Sequence, residues 1–407
     1  MPSMTEEQIV SEAEQEIPKP PRTVIICSRR VITDCSLYMK FLLVGLADES
    51  AKVCLIAPPK IDVEPVVPPA FGVLRYPAVE LPLMQHYNRR QLLDRLAEFR
   101  PELLHCLCES MAPLSRRLSR QLHIPYILNI DSINRPWRPV AISPTRCVAI
   151  ITPAKSIADH LASAYPKYAG RIRQINIGVF PSNTVSSFAH RDRVPGIVIA
   201  QPPPAASNQQ RGGGLENILR VLHRLVVENH RFMTAVISEG GTCSAGPRMS
   251  LSARRTRKAQ KQVRSLLREL GLSRVVSLIP PLPGYESAIG TADIFIVPRP
   301  SSGFNMALLS AMSAGCCVAA CKGGVDDLIL DNKTAVVFNP DDQLSIYNTL
   351  KQLLDAPYFA RQIAVQAQEF LRQNHHVSDM VVSTLQLYHE ASEKSKNQKA
   401  NIKNAEA

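Results

Sequence analysis

Aromatic side chains are scarce in this chain of 407 residues, at 5% with a single tryptophan, so the 45% of hydrophobic residues is mainly aliphatic. That is the composition of a globular α/β protein and not of a disordered one. Long hydrophobic runs are missing as well. None reaches the roughly 18 residues of a membrane span, and the first twenty residues are acidic and polar, without the basic and apolar parts of a secretory signal. Paired cysteine spacings are also lacking. The ten cysteines are scattered, and most stand in apolar runs (Cys27, Cys54, Cys106, Cys317), where a thiol is a small hydrophobe. His105, Cys106 and Cys108 come nearest to a metal set, yet strand alternation sends neighbours to opposite faces and no second pair matches them. The expectation is a cytoplasmic protein in a reducing compartment, with no metal and no cofactor.

What is abundant is positive charge. A formal net charge of +12 calls for an anionic partner: membrane, nucleic acid or nucleotide. Much of the excess lies between Arg248 and Arg274, which reads as a helix with a basic outer face. A solvated face and peripheral contact with anionic lipid headgroups both fit that helix. Nucleic acid is not expected, because no aromatics are interleaved for base stacking.

The length suits two domains of ordinary size. Residues 1–20 run into Pro18-Lys19-Pro20-Pro21 and read as a disordered leader. From residue 21 to 190, apolar strands alternate with helices: Thr23–Cys27, Lys52–Ala57, Glu102–Cys108, Tyr126–Ile130, Val148–Thr152 and Arg173–Ile177 as strands, Ser36–Ala47, Arg89–Phe99, Pro113–Gln121 and Ser156–Ala164 as helices. Pro181–Pro195, polar and bounded by prolines, is expected to be the linker. The alternation restarts over 191–375, with strands at Ile197–Ala200, Phe232–Ser238 and Val275–Ile279 and helices at Leu215–Asn229, Lys258–Leu270, Glu286–Gly290, Leu344–Leu354 and Tyr358–Gln373. Such alternation predicts parallel sheets covered by helices on both faces. Residues 376–391 read as an amphipathic helix, and the lysine-rich 392–407 as a disordered tail.

The most informative stretch is Thr291–Phe338. A buried strand (Ile294–Val297) runs into a Pro/Ser/Gly loop, a helix of small residues (Met306–Ala314), a second strand (Cys317–Cys321) and a Gly-Gly turn at Gly323. A strand, glycine-bearing loop and helix start direct amides and a positive helix end into one crevice, which suits a phosphate. A plain α/β unit with no ligand is the alternative.

The order of residues here resembles the donor-binding signature of the family 4 (group 1) retaining glycosyltransferases. Pro298, Gly303, Phe304, Leu308, Leu309, Ala311, Met312, Gly315, Val318, Ala319, Gly323 and Gly324 match it. Both family glutamates are replaced, by Ser302 and Ser310, and the helix-opening Gly-Leu-Pro by Asn305-Met306-Ala307. The resemblance implies a GT-B fold, with two Rossmann-like domains facing across a cleft. The first would be an acceptor-side domain, the second would hold a nucleotide-sugar, and the helix at 376–391 would pack back on the first.

Residue by residue, the resemblance makes Ser302, Gly303, Phe304, Asn305 and Ser310 donor-binding candidates, with Arg211 and Gly212 in place of the Lys-Gly that clamps the leaving diphosphate. A cation there stabilises charge that grows on the phosphate as the bond breaks, and Arg can grip two oxygens; a loop arginine before a helix is the rival reading. The companion Gly-Arg has become Gln201-Pro202. In the first half His105 stands where the family has a strand-end histidine, and Asp131 where it has an acceptor-side histidine. His105 is a candidate for proton handling or acceptor contact, or a satisfied core histidine. Asp131 is a candidate for orienting an acceptor hydroxyl, or a cap. The usual glycine-rich first loop is Ser28–Asp34 with no glycine, so side chains occupy that approach.

Two functions follow from the resemblance. One is a hexosyltransferase that moves a sugar from a nucleotide-sugar to a hydroxyl acceptor with retention, without a metal. The other is a catalytically silent relative that serves as a binding or regulatory subunit.

Overall fold

Runs of branched aliphatic residues form strands because their stiff side chains pack well on a pleated surface, and here they build two parallel sheets. The computed structural model describes residues 19–59, 61–76, 82–133, 140–190, 192–201, 214–238, 251–279 and 289–406. The order begins β1 (Thr23–Ile26), α1 (Arg29–Asp34), α2 (Ser36–Asp48), β2 (Val53–Ala57), β3 (Gly72–Arg75), α3 (Pro82–Phe99), β4 (Leu103–Cys106), α4 (Ala112–Leu122), β5 (Tyr126–Asn129), β6 (Cys147–Thr152), α5 (Lys155–Ala164) and β7 (Ile172–Gln174). It continues with β8 (Gly196–Gln201), α6 (Gly214–Val227), β9 (Met233–Ser238), α7 (Leu251–Glu269), β10 (Val276–Ile279), β11 (Ile294–Val297), α8 (Met306–Ala314), β12 (Cys317–Ala320), β13 (Val336–Val337), α9 (Gln343–Asp355), α10 (Pro357–Asn374) and α11 (Val377–Glu406).

The first sheet runs β3-β2-β1-β4-β5-β6-β7 and the second β10-β9-β8-β11-β12-β13, each with parallel neighbours. Strands covered on both faces need continuous apolar runs, and β1, β4, β5 and β11 are buried throughout. One apolar cluster continues from Val24, Leu104 and Leu128 under the first sheet to Phe295, Leu309 and Leu371 under the second. The two lobes therefore share a packed face.

Helix α11 leaves the second lobe and lies on the first, where Met380, Val381, Leu385 and Tyr388 join the cluster of Ile25, Leu42, Leu46 and Ile127. Gly45 of α2 allows the approach, since a Cβ there would sit 2.3 Å from a Val381 methyl. The helix runs on through Glu406, past the point where composition predicts a disordered tail. Its Lys, Ala and Gln are good helix formers, and extension of an anchored helix avoids a new nucleation step.

The expected linker is held tightly. Ser182 and Ser187 donate their amides to Ser313 and Gly315 at 2.8 and 2.9 Å, and Gln368 donates to the carbonyls of Ser182, Thr184 and Ser313. Buried Asp293 accepts from the amides of Phe188 and Gly196 and from Arg193 at 2.6, 2.7 and 2.9 Å. Carbonyls and amides outside regular structure need such partners when buried. The leader to Pro18, most of the Glu286–Gly290 helix and the start of the basic stretch lie outside the described residues. Among the described residues no helix is long and apolar enough to cross a membrane.

Candidate functional site

The C-terminal end of β11 meets three other segments, and glycines permit the contact. A Cβ on Gly214, at the start of α6, would lie 2.4 Å from the Pro298 carbonyl oxygen, and one on Gly324 would lie 2.1 Å from that of Ser301. Val325 donates its amide to the same Ser301 carbonyl at 2.7 Å. A small cavity of about 230 Å³ opens beside this junction, with Ser301, Asn305, Gly324 and Asp326 in its wall. Asp326 also accepts from the Gly323 amide at 3.1 Å, where the chain turns at φ +114.

The amides expected to face a phosphate here are largely engaged within the chain. Phe304 donates to the Asp131 carbonyl and Ile133 to the Ser302 carbonyl, both at 2.7 Å, and Ser132 and Gly303 form an antiparallel bridge. The Gly303 amide reaches Ser301 Oγ at 3.3 Å. Asn305, a donor-binding candidate in the sequence, is the N-cap of α8: its Oδ1 accepts from the Leu308 amide at 2.9 Å. Its side chain is spent on the helix end, as Asn at this position commonly is. Ser302 is exposed and Ser310 half-buried. Arg211 and Gly212 lie outside the described residues.

His105 does not face the cleft. Register sets it in one row with Ile25 and Ile127, on the sheet face that α11 covers, and it is fully buried. Its Nδ1 lies 2.6 Å from the Tyr388 hydroxyl and its Nε2 2.7 Å from Asn129 Oδ1. With the amide oxygen towards Nε2, the ring donates there and accepts at Nδ1 from Tyr388. Asn129 then donates from Nδ2 to the Tyr38 oxygen at 2.9 Å. Burial holds the His105 pKa down at about 4, against the opposing pull of the Asn129 bond. A neutral ring with both nitrogens paired positions Asn129 and Tyr38; it does not shuttle protons with a ligand.

Asp131 follows β5 and lines a larger cavity, about 570 Å³ including its mouth, between the lobes. Arg30 is near enough for the two charges to interact, although its head group lies 3.8 Å from Asp34 and is largely exposed. The first loop has become α1, capped by Ser28; Val31 and Cys35 turn to the cavity, while Arg29 and Arg30 stay outside. A further tie joins the lobes: Ser156 donates its amide to Asp327 Oδ1 at 3.0 Å and its hydroxyl to Oδ2.

Solved structures share this arrangement. A glycosyltransferase from Rickettsia africae superposes with a TM-score of 0.69 at 14% identity, covering 91% of this chain and 98% of its own. HepE from Anabaena, in complex with UDP and glucose, gives 0.68 at 12% identity over 91% and 100%. The fold is GT-B. Within it, residues 247–356 match the family described as "Glycosyl transferases group 1". A D-inositol 3-phosphate glycosyltransferase of Corynebacterium diphtheriae is 31% identical over 107 residues, 26% of this chain and 25% of that protein. The alignment thus spans about a quarter of that relative's length.

The GT-B cleft contains residues that motif reading missed. Tyr38, Asn129 and Thr384 line the larger cavity, and Tyr388 holds the relay behind it. Strand alternation offered one signal: Asn129 is two residues past Ile127 and so shares its face. Tyr38 and Tyr388 carry no local signal, because only the fold brings helices α2 and α11 to the same strand end. No group of three or more His, Cys, Asp or Glu is placed to hold a metal among the described residues.

Proposed function

We propose that the protein is a retaining GT-B glycosyltransferase with a degenerate donor motif, transferring a hexose from a nucleotide-sugar to a hydroxyl acceptor. The observation that carries this reading is the junction at Gly214, Gly303 and Gly324, where absent side chains let three backbone segments meet beside α8, within a GT-B fold whose residues 247–356 match the group 1 family. Residues 21–190 serve as the acceptor side and 191–375 as the donor side. Arg211, ahead of α6, stabilises the leaving diphosphate, and the Ser302–Phe304 turn and Ser310 contact the donor. Asp131 orients the acceptor hydroxyl, and the leaving phosphate takes that hydroxyl's proton on the same face of the sugar. UDP is the first nucleotide to test, because the Anabaena structure holds it. The basic helix α7 gives the enzyme a face for anionic membrane.

A silent scaffold is the second reading. It is favoured by Ser302 and Ser310 in place of two carboxylates, each charge-assisted contact being worth roughly 1.5–3 kcal/mol, and by the Phe304 amide already bonded across the cleft. Titration with UDP, GDP and ADP decides between them. Binding that is lost in Arg211→Ala, with slow release of nucleotide from its sugar conjugate, supports the transferase. No binding at millimolar nucleotide leaves the scaffold.

A further inference from the structure

The larger cavity is built for a ligand with very few polar groups. Its wall comes from the first lobe, from Phe304 and Met306 before and at α8, and from Met380 and Thr384 of the returning helix. With Cys35 taken as a small hydrophobe, it is apolar except for Tyr38, Asn129, Asp131 and Thr384. Two of those four are already engaged. Thr384 donates its hydroxyl to the Met380 carbonyl at 2.7 Å. Asn129 spends its oxygen on His105 and a hydrogen on Tyr38.

Besides the second Asn129 amide hydrogen, two groups are left over. The Tyr38 oxygen accepts from Asn129, but among the described residues its own hydrogen has no acceptor. The Asp131 carboxylate, whose main-chain carbonyl is taken by Phe304, feels the Arg30 charge but has no hydrogen-bond donor among the described residues. Burial pushes the Tyr38 phenol well up, the nearby Asp131 charge adding to it, so the phenol keeps its proton for donation. An acceptor and a donor in the wall of one cavity suit a hydroxyl, whose hydrogen is directed to Asp131 and whose oxygen accepts from Tyr38. A sugar or polyol would leave its other hydroxyls dehydrated against Ile151, Ile175, Ile177 and Met380, and buried polar groups without partners weaken binding steeply.

We infer that the acceptor is an apolar alcohol, one hydroxyl on a hydrocarbon body, held with that hydroxyl between Asp131 and Tyr38. The inference rests on the transferase reading. In the transfer, the alcohol oxygen bonds to the anomeric carbon, the bond from that carbon to the diphosphate breaks with its electron pair, and the hydroxyl hydrogen swings from Asp131 to the departing diphosphate oxygen, which takes the proton. Asp131 and Tyr38 aim the nucleophile and keep no proton.

Calorimetric titration of the full chain tests this with 1-octanol, 2-phenylethanol and myo-inositol, beside the UDP titration. The expected result is binding of at least one alcohol ten times or more tighter than inositol. The two alcohol arms separate an aliphatic body from an aromatic one. Ile175→Asp, at a partly exposed wall position, is expected to weaken the alcohol at least tenfold and to leave UDP affinity and circular dichroism unchanged. Tyr38→Phe is a second variant that keeps the packing, with an expected loss of about tenfold for the alcohol. Inositol binding as tightly as the alcohols, or alcohol binding indifferent to both variants, overturns the inference. Nucleotide binding without alcohol binding also overturns it and leaves the transferase reading standing. Alcohol binding without nucleotide binding overturns the transferase reading, and the alcohol's role as acceptor with it.

Discussion

The amide of Phe304 in the second lobe donates to the carbonyl of Asp131 in the first at 2.7 Å. One bond therefore joins the turn that carries the motif residues to the residue proposed to orient an acceptor, and the cleft is closed along this seam. Its neighbours are the Ile133 amide on Ser302 and the Ser132–Gly303 bridge.

Opening that seam is testable through Gly303, where a Cβ would meet the Asp131 carbonyl oxygen and Ser132 Cβ at 3.2 Å. A branched side chain there requires the Asp131 carbonyl and Ser132 to give way. Each hydrogen bond lost is worth about 0.5–1.5 kcal/mol. Gly303→Val is expected to speed hydrogen exchange at the Phe304 and Ile133 amides by tenfold or more, with exchange in β1 and β4 unchanged. Unaltered exchange at those two amides would count against the seam as described.

Acid should weaken the fold through His105. In the unfolded chain the imidazole titrates near 6.5, and in the folded protein burial holds it at about 4. The unfolded state therefore takes up the proton first. Its contribution to stability is complete above the unfolded value and is lost as pH falls through 4, amounting to roughly 3 kcal/mol in all. Denaturant melts at pH 7, 5.5 and 4.5 should fall in that order for the native chain. In His105→Phe the slope should flatten. At pH 7 that variant should lose roughly 3 kcal/mol, because the Tyr388 hydroxyl and Asn129 Oδ1 are left without partners.

The docking of α11 can be tested by moving bulk between Gly45 and Val381. Gly45→Ala places a methyl 2.3 Å from the valine and should cost about 1–3 kcal/mol by overpacking. Val381→Ala alone removes methyls from a buried site and should cost about 1–2 kcal/mol. The double variant should be more stable than the sum of the two losses implies, by about 1 kcal/mol in a double-mutant cycle. Additive losses would show that the two residues do not press on each other.

Most strands were legible in the sequence because their apolar runs are continuous, as in Thr23–Ile26 and Ile294–Val297. β3 was not: Gly-Val-Leu-Arg at the sheet edge is only partly buried, so no apolar run marks it. Helix α1 was read as a loop, since one turn containing Val-Ile-Thr is too short to show a period. At the site, Asp131 and Phe304 were legible as candidates through their places at a strand end and in a motif. Asn305 was assigned to a ligand where the helix end claims it, because a motif position does not reveal a cap already in use. His105 was read as an acceptor-side candidate or a satisfied core histidine, and it is buried with both ring nitrogens paired. Its partner Tyr388 lies 283 residues away along the chain, and no local pattern can join two such positions.

The chain crosses between the lobes twice, once through the strap at 181–195 and once where α10 gives way to α11. The crossings are tied together: Val179 donates to the His375 carbonyl, and His375 Nδ1 meets the Ile177 carbonyl, both at 2.9 Å. Two adjacent pins restrict a door to swinging about one axis, whereas a lone tether would also permit sliding and wobble. A crosslink between the lobes at the far rim would hold the molecule against any such rotation.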